Sequence, residues 1–202
     1  MSSVAPLQGL VLTGGQSRRM GDDKAGLSFS GNTLLDRAVA LLASVVPVVR
    51  VSVAEKQLHE PGRSQYSVIK DEFQDMGPAA GILSAHLSAP AVAWLVIACD
   101  MPLLDKPLLE ALIDGRDSQS AATAWLTEAS EAPEPLCAIY EPATLAAFLR
   151  EVQAGGNPSP RAWLQGANTR LLPLPRPGLL DGANTREEFK SLTARLKTQS
   201  GA

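Results

Sequence analysis

The chain is predicted to fold as an α/β protein built on a mostly parallel, doubly wound sheet, a Rossmann-like arrangement, and three observations carry that prediction. Short runs at 7–12, 48–53, 67–69 and 93–98 read as strands, the first almost wholly apolar and the last unbroken in apolarity, as strands covered on both faces are. Helical spacing or polar loop separates them, so the order reads strand, helix, strand, loop, strand, helix, strand, the alternation of a doubly wound sheet. The length of 202 residues, 45% of them hydrophobic, suits one domain over 1–202 with a single large core.

Taken in order, the first strand stops at Gly14-Gly15, and a polar, basic loop runs on to Lys24. Gly31-Asn32-Thr33 offers a turn and a helix cap. Leu34, Leu35, Ala38, Val39, Leu41 and Leu42 then mark an amphipathic helix. Pro47 ends it, and 48–53 is the second strand. The polar stretch 55–65 reads as loop or ragged short helix, and 67–69 as a third strand. Pro78 suits the start of a helix continuing over 79–87. After the strand at 93–98, Pro107 opens a helix through Ile113. In the second half, 121–126 and 136–140 read as strands and 142–152 as a helix. One or two helical turns follow at 160–164, then a strand at 171–174 cut by Pro173 and a terminal helix at 187–197. The prolines between Pro133 and Pro177 suggest loops over one sheet edge.

Composition excludes several functions. With a formal net charge of -3 and 4% aromatic residues, a general nucleic-acid surface is not expected. Two histidines, His59 and His86, are too scattered for a histidine metal site. Cys99 and Cys137 stand in unrelated contexts and read as buried, reduced thiols. The start of the chain lacks the pattern of a signal peptide. The longest apolar stretches, 38–49 and 89–98, are interrupted by Ser44, Pro47 and Pro90 and fall short of the roughly 18 residues of a membrane span. A soluble, cytoplasmic protein is expected.

The loop after the first strand carries the chemistry. Gly-Gly lets the backbone turn sharply and present bare N–H groups to an anion, and Arg18, Arg19 and Lys24 bring positive charge to the same mouth. A glycine turn with a solvated basic flank is the competing reading of Gly-Gly alone. The P-loop and the dinucleotide fingerprint are excluded, because Lys24 lies between Asp23 and Ala25 and no Gly-x-Gly-x-x-Gly is present. Asp100 directly follows the strand at 93–98, at the end where a parallel sheet takes its ligand. There a carboxylate facing a triphosphate is suited to Mg²⁺, which takes one or two carboxylates together with phosphate oxygens and water. Capping of a following helix is the alternative role for Asp100.

The run Leu12-Thr13-Gly14-Gly15-Gln16-Ser17-Arg18-Arg19-Met20-Gly21-Asp22-Asp23-Lys24 resembles the Leu-Ala-Gly-Gly-x-Ser-x-Arg-Met-Gly-x-x-Lys signature of the MobA-like nucleotidyltransferases, with Thr13 in place of Ala. Cys99-Asp100-Met101-Pro102 is similar to that family's Cys-Asp-x-Pro, which carries its metal aspartate. The segment from Asp71 to Ile82 resembles Asp-x-x-x-x-x-Gly-Pro-Leu-Ala-Gly, whose Asp contacts guanine. A carboxylate can accept from the N1–H and 2-amino group of that base together. A loop acid beside Glu72 and Asp75 is the other reading of Asp71. Ser52 stands where the family often has an Asn that touches base or ribose. Glu134 to Pro142 and Pro160-Arg161-Ala162-Trp163-Leu164 resemble acceptor-side segments. Gly182-Ala183-Asn184-Thr185-Arg186 is similar to Asn-x-Asn-Thr-Pro, with Gly182 in place of the first Asn.

The resemblance implies transfer of GMP from GTP to the terminal phosphate of molybdopterin, with Mg²⁺ and release of pyrophosphate. It implies nucleotide binding by Leu12, Thr13, Gly14, Gly15, Lys24, Ser52, Asp71 and Asp100, and catalysis by Arg19, Lys24 and Asp100. Asp100 would hold the metal, and Arg161 and Asn184 the acceptor. It leaves room for contacts with molybdoenzymes or other proteins of the cofactor's pathway. A nucleotidyltransferase of the same fold with another base or acceptor (a molybdopterin cytidylyltransferase, or an enzyme of sugar phosphates or phospholactate) and a GTP-binding accessory protein without catalysis are the alternatives.

Overall fold

The computed structural model describes residues 4–13, 28–29, 32–58, 60–127, 131–183, 188, 191–192 and 194. In chain order the strands are β1 (Leu7–Leu12), β2 (Ser28–Phe29), β3 (Asn32–Thr33), β4 (Val49–Val53), β5 (Val68–Lys70), β6 (Ala93–Ala98), β7 (Ala122–Thr127), β8 (Ala132–Tyr140) and β9 (Thr169–Pro173). The helices are α1 (Leu34–Ala43), α2 (Pro61–Ser64), α3 (Pro78–Ser88), α4 (Lys106–Asp114), α5 (Pro142–Gln153) and α6 (Pro160–Gly166), with a 3-10 turn at Glu55–Gln57. β2 and β3 pair as a small antiparallel ribbon beside the main sheet. Thr33 then caps α1, as expected for that turn, and does so with a full capping box. Its hydroxyl accepts from the Asp36 N–H at 3.0 Å, and the Asp36 carboxylate accepts from the Thr33 N–H at 2.9 Å.

Seven strands form one open sheet in the order β5-β4-β1-β6-β8-β7-β9. The pairs β5–β4, β4–β1, β1–β6 and β7–β9 are parallel, while β8 runs antiparallel to both β6 and β7. The doubly wound, mostly parallel sheet expected from the alternation is thus the observed fold. Alternating side chains divide between its two faces. Val11, Val51, Val53, Leu95, Ile97 and Ile139 pack under α1 and α4 through Leu35, Leu42, Leu108 and Leu112. Leu10, Leu12, Trp94, Val96, Ala138 and Tyr140 pack against Ile82, Ala85, Leu145 and Leu164 of α3, α5 and α6. Helices on both faces explain why β6 is apolar along its whole length, while β4 carries Arg50 and Ser52 on the α3 side.

Two expectations are corrected. The strand predicted at 136–140 begins at Ala132, so Pro133 and Pro135 lie within β8 and not in a loop over the sheet edge. Proline is excluded from strands bonded on both sides, but β8 is registered with β6 only from Cys137 to Tyr140. Residues 132–136 extend past that neighbour, so neither proline stands where β6 would require an N–H. The reversal of β8 follows from chain length: residues 128–131 are too few for the crossover that a parallel return requires. Of the terminal helix expected at 187–197, Glu188, Ser191, Leu192 and Ala194 are described and are helical, and Leu192 packs on Leu103 and Ala183. Cys99 and Cys137 are buried, as expected. No helix among the described residues is long and apolar enough to cross a membrane.

Candidate active site

β5, β4, β1 and β6 all end on the same side of the sheet. The chain leaves β1 for β4 and β5 on one flank and places β6 on the other, so the switch point where such sheets take ligands falls between β1 and β6. Thr13 follows β1, Asp71 follows β5, and Asp100 comes two residues after the end of β6. Neighbouring strands lie about 4.8 Å apart, so the ends of β5 and β6 are separated by about 14 Å, three such spacings. The two carboxylates therefore flank the end of β1 from opposite sides.

On the β5 side the side chains are tied together. The Ser52 hydroxyl donates to Asp71 Oδ1 at 2.6 Å, and the Ser52 carbonyl accepts from the Thr13 hydroxyl, also at 2.6 Å. Leu12 and Ser52 are register partners in β1 and β4. Leu12, Thr13 and Ser52 are all buried, Ser52 to 1% exposure. The Asp71 N–H donates to the Val53 carbonyl at 2.9 Å, so the turn after β5 starts from the end of β4. The Glu72 N–H donates to Ser84 Oγ of α3 at 2.8 Å. Burial raises the Asp71 pKa above its ordinary value, against the opposing pull of the Ser52 hydrogen bond. The loop then turns through Asp75 and Gly77, both at positive φ, into Pro78 at the first turn of α3.

On the β6 side, the Cys99 N–H donates to the Leu12 carbonyl at 3.1 Å, which keeps the two strand ends together up to Asp100. The Asp100 carbonyl accepts from the Ala183 N–H at 2.9 Å. The segment leading to Asn184 is thereby brought to the carboxylate. A Cβ at Gly182 would lie 3.9 Å from Cγ and Oδ1 of Asp100, so the backbone of this segment runs directly alongside that carboxylate. From the other face of the sheet, Arg37 of α1 donates to the Leu104 carbonyl at 3.3 Å and steadies the loop after Asp100.

Arg161, in the first turn of α6, forms an ion pair with Glu134 of β8 at 3.0 Å. The other oxygen of Glu134 accepts from the Leu136 N–H at 3.0 Å. The reversed direction of β8 puts this pair on the same side of the sheet as the ends of β1 and β6. Among the expected site residues, then, Leu12, Thr13, Ser52 and Asp71 come together, Asp100 sits across β1 from them, and Arg161 lies farther along the sheet. Gly14, Gly15, Arg19, Lys24 and Asn184 lie outside the described residues.

The MobA-like NTP transferase domain matches residues 9–171, a span that runs from within β1 to within β9. The chain belongs to the MobA-like NTP transferase family. The molybdenum cofactor biosynthesis bifunctional protein of Synechocystis sp. is 36% identical over 170 residues, covering 84% of this chain and 49% of that protein. The chain thus spans about half the length of that relative. The probable molybdenum cofactor guanylyltransferase of Nostoc sp. is 31% identical over 184 residues, covering 91% of this chain and 88% of that one. The crystal structure of molybdopterin-guanine dinucleotide biosynthesis protein A from Archaeoglobus fulgidus superposes with a TM-score of 0.77 at 22% identity, over 95% of this chain and 99% of that one. At that identity the likeness speaks for the fold.

MobA-like nucleotidyltransferases generally use a divalent metal. No group of three or more His, Cys, Asp or Glu side chains among the described residues could hold a metal ion. A single carboxylate at a strand end, as at Asp100, fits instead an ion that draws its remaining ligands from phosphate and water. Two residues beyond the expected set also shape the site. Gly81 of α3 lies so close to Ser52 that a Cβ there would fall 2.2 Å from Ser52 Oγ, and Glu134 engages Arg161. Gly81 falls at the last glycine of the segment that resembles Asp-x-x-x-x-x-Gly-Pro-Leu-Ala-Gly, and a glycine in a helix interior, unfavourable by roughly 0.5–1 kcal/mol relative to alanine, was a second signal for it. Glu134 opens one of the acceptor-side segments, but its pairing with Arg161 had no local signal, because the two lie 27 residues apart.

Proposed function

We propose that the chain is a molybdenum cofactor guanylyltransferase, moving GMP from GTP to molybdopterin with release of pyrophosphate in a Mg²⁺-dependent reaction. It is read as one transferase domain over 1–202, acting in the cytoplasm. The observation that carries the reading is the pair of carboxylates flanking the end of β1. A nucleoside triphosphate lying along the strand ends sets its base at Asp71 and its phosphates over β1, toward Asp100. Guanine offers its N1–H and 2-amino group to a carboxylate, as Asp71 requires. The relatives named as guanylyltransferases support the same base.

In this reading Gly14 and Gly15 present backbone N–H groups to the phosphates, and Arg19 and Lys24 balance their charge. Arg161 and Asn184 hold the acceptor. A terminal phosphate oxygen of molybdopterin attacks the α-phosphorus in line, the new P–O bond forms, and the bond to the β-phosphate oxygen breaks with its electrons on pyrophosphate. The attacking group is already an anion, so little general-base chemistry is needed, and positioning with electrostatics supplies the rate. Asp100 would hold Mg²⁺, which when bound neutralises phosphate charge.

The test is pyrophosphate release with GTP, CTP, ATP and UTP in turn, in the presence of Mg²⁺ with and without molybdopterin. Release is expected with GTP and molybdopterin together, and Asp100→Ala is expected to lower it by roughly two or more decades. Release with CTP in place of GTP would keep the chemistry and overturn the base assignment. Nucleotide binding with no release in any mixture would overturn catalysis.

A further inference from the structure

We propose that Ser52 is a positioning residue for guanine selection, orienting the Asp71 carboxylate from beneath without touching the nucleotide, and that Gly81 exists to let it do so. The inference rests on the guanylyl-transfer reading and goes beyond it by assigning what sets the angle of the base-reading group.

The geometry starts from burial. At 1% exposure Ser52 has no surface to offer a ligand. Its single hydroxyl hydrogen is directed to Asp71 Oδ1 at 2.6 Å, across 19 residues of sequence. The residue is anchored from behind by the Thr13 hydroxyl on its carbonyl and by its place in β4 between β1 and β5. Its Oγ occupies the space that α3 leaves at Gly81, where a Cβ would come within 2.2 Å of Oγ and 2.9 Å of Ser52 Cβ. Strand, helix and neighbouring hydroxyl together leave the Ser52 side chain one position.

That position matters to the base. A carboxylate at the end of a side chain turns broadly about its last torsion, and an Asp that turns presents one oxygen where guanine requires two. A hydrogen bond to Oδ1 stops the rotation and leaves one lone pair on Oδ1 and both on Oδ2 for the two donors of guanine. The same bond favours the ionised carboxylate in a half-buried setting that opposes it.

The experiment compares binding of GTP and inosine triphosphate, which lacks the 2-amino group, to the full chain with Mg²⁺ by calorimetry. Wild type, Ser52→Ala, Asp71→Asn and Gly81→Ala are measured, together with turnover at saturating GTP. The wild type is expected to prefer GTP. Ser52→Ala should weaken GTP binding and shrink the GTP preference by roughly tenfold, the scale of a hydrogen bond to a charged group. Gly81→Ala, which forces Oγ aside, should reproduce that pattern. If Gly81→Ala does not fold, Ser52→Ala decides by itself, because it removes one oxygen and adds no volume. A Ser52→Ala protein that keeps the full GTP preference, while Asp71→Asn loses it, would overturn the positioning role and leave the guanine reading standing. A wild type without GTP preference would overturn the guanine reading and this inference with it.

Discussion

Burial and ligand recognition pull the Asp71 carboxylate in opposite directions. Desolvation raises its pKa, and the Ser52 hydrogen bond offsets part of that rise. In the unfolded chain the same group ionises at the lower, ordinary value. As pH rises through the folded-state pKa, the native protein must therefore place a charge where water is scarce, and stability from this group is lost. As pH falls below it, that stability returns. Asp71→Asn is accordingly expected to raise Tm at neutral pH while weakening GTP binding. The Tm difference from wild type should close as pH is lowered through the Asp71 titration. Equal or lower Tm for the variant at neutral pH would contradict this account. GTP binding by the wild type should in turn weaken on acidification at a pH above that of an ordinary aspartate.

At the scale of elements, α1 shows how local chemistry fixes an element that later serves the site. Its capping box is complete, and Asp36 also accepts from Tyr66, whose pKa is pushed up to about 12 by burial and by that carboxylate. Thr33→Ala is expected to cost about 1 kcal/mol in urea denaturation, with an unchanged midpoint counting against the cap. The cap was legible in Gly31-Asn32-Thr33 because it depends on neighbours in sequence. The parallel strands of the first half were legible for the same kind of reason, as short apolar-rich runs between turn signals. β8 was read four residues short of its start, since Pro133 and Pro135 carry a local signal against strand that pairing past the end of β6 overrides. The β2–β3 ribbon escaped because two-residue strands have no periodicity to detect.

Across the whole molecule, the end of the sheet opposite the site is closed by a buried ion pair. Arg116 donates twice to Glu141, at 2.7 and 2.9 Å, and donates once to the Ala5 carbonyl at 2.9 Å. This joins the segment before β1, the turn after α4 and the end of β8. Removing one partner strands a poorly solvated charge, so Glu141→Ala is expected to lower unfolding free energy by about 3 kcal/mol. Pyrophosphate release per folded molecule should stay unchanged, because the pair lies a full strand length from Asp100. Loss of turnover in a folded variant would show that the two ends of the sheet are coupled.

By itself the sequence determined the fold class and the family, because both rest on local order: apolar runs, turn residues and contiguous motifs such as the one ending at Lys24 and the one around Asp100. Tertiary structure decided which side chains act together. Thr13 reaches Ser52 across 39 residues and Ser52 reaches Asp71 across 19, contacts set by strand register and by the approach of Gly81. The reversed strand likewise decides that Arg161 meets Glu134. Hydrogen bonds of this kind depend on which strand lies beside which and at what register, and neither is a property of residues adjacent in the chain.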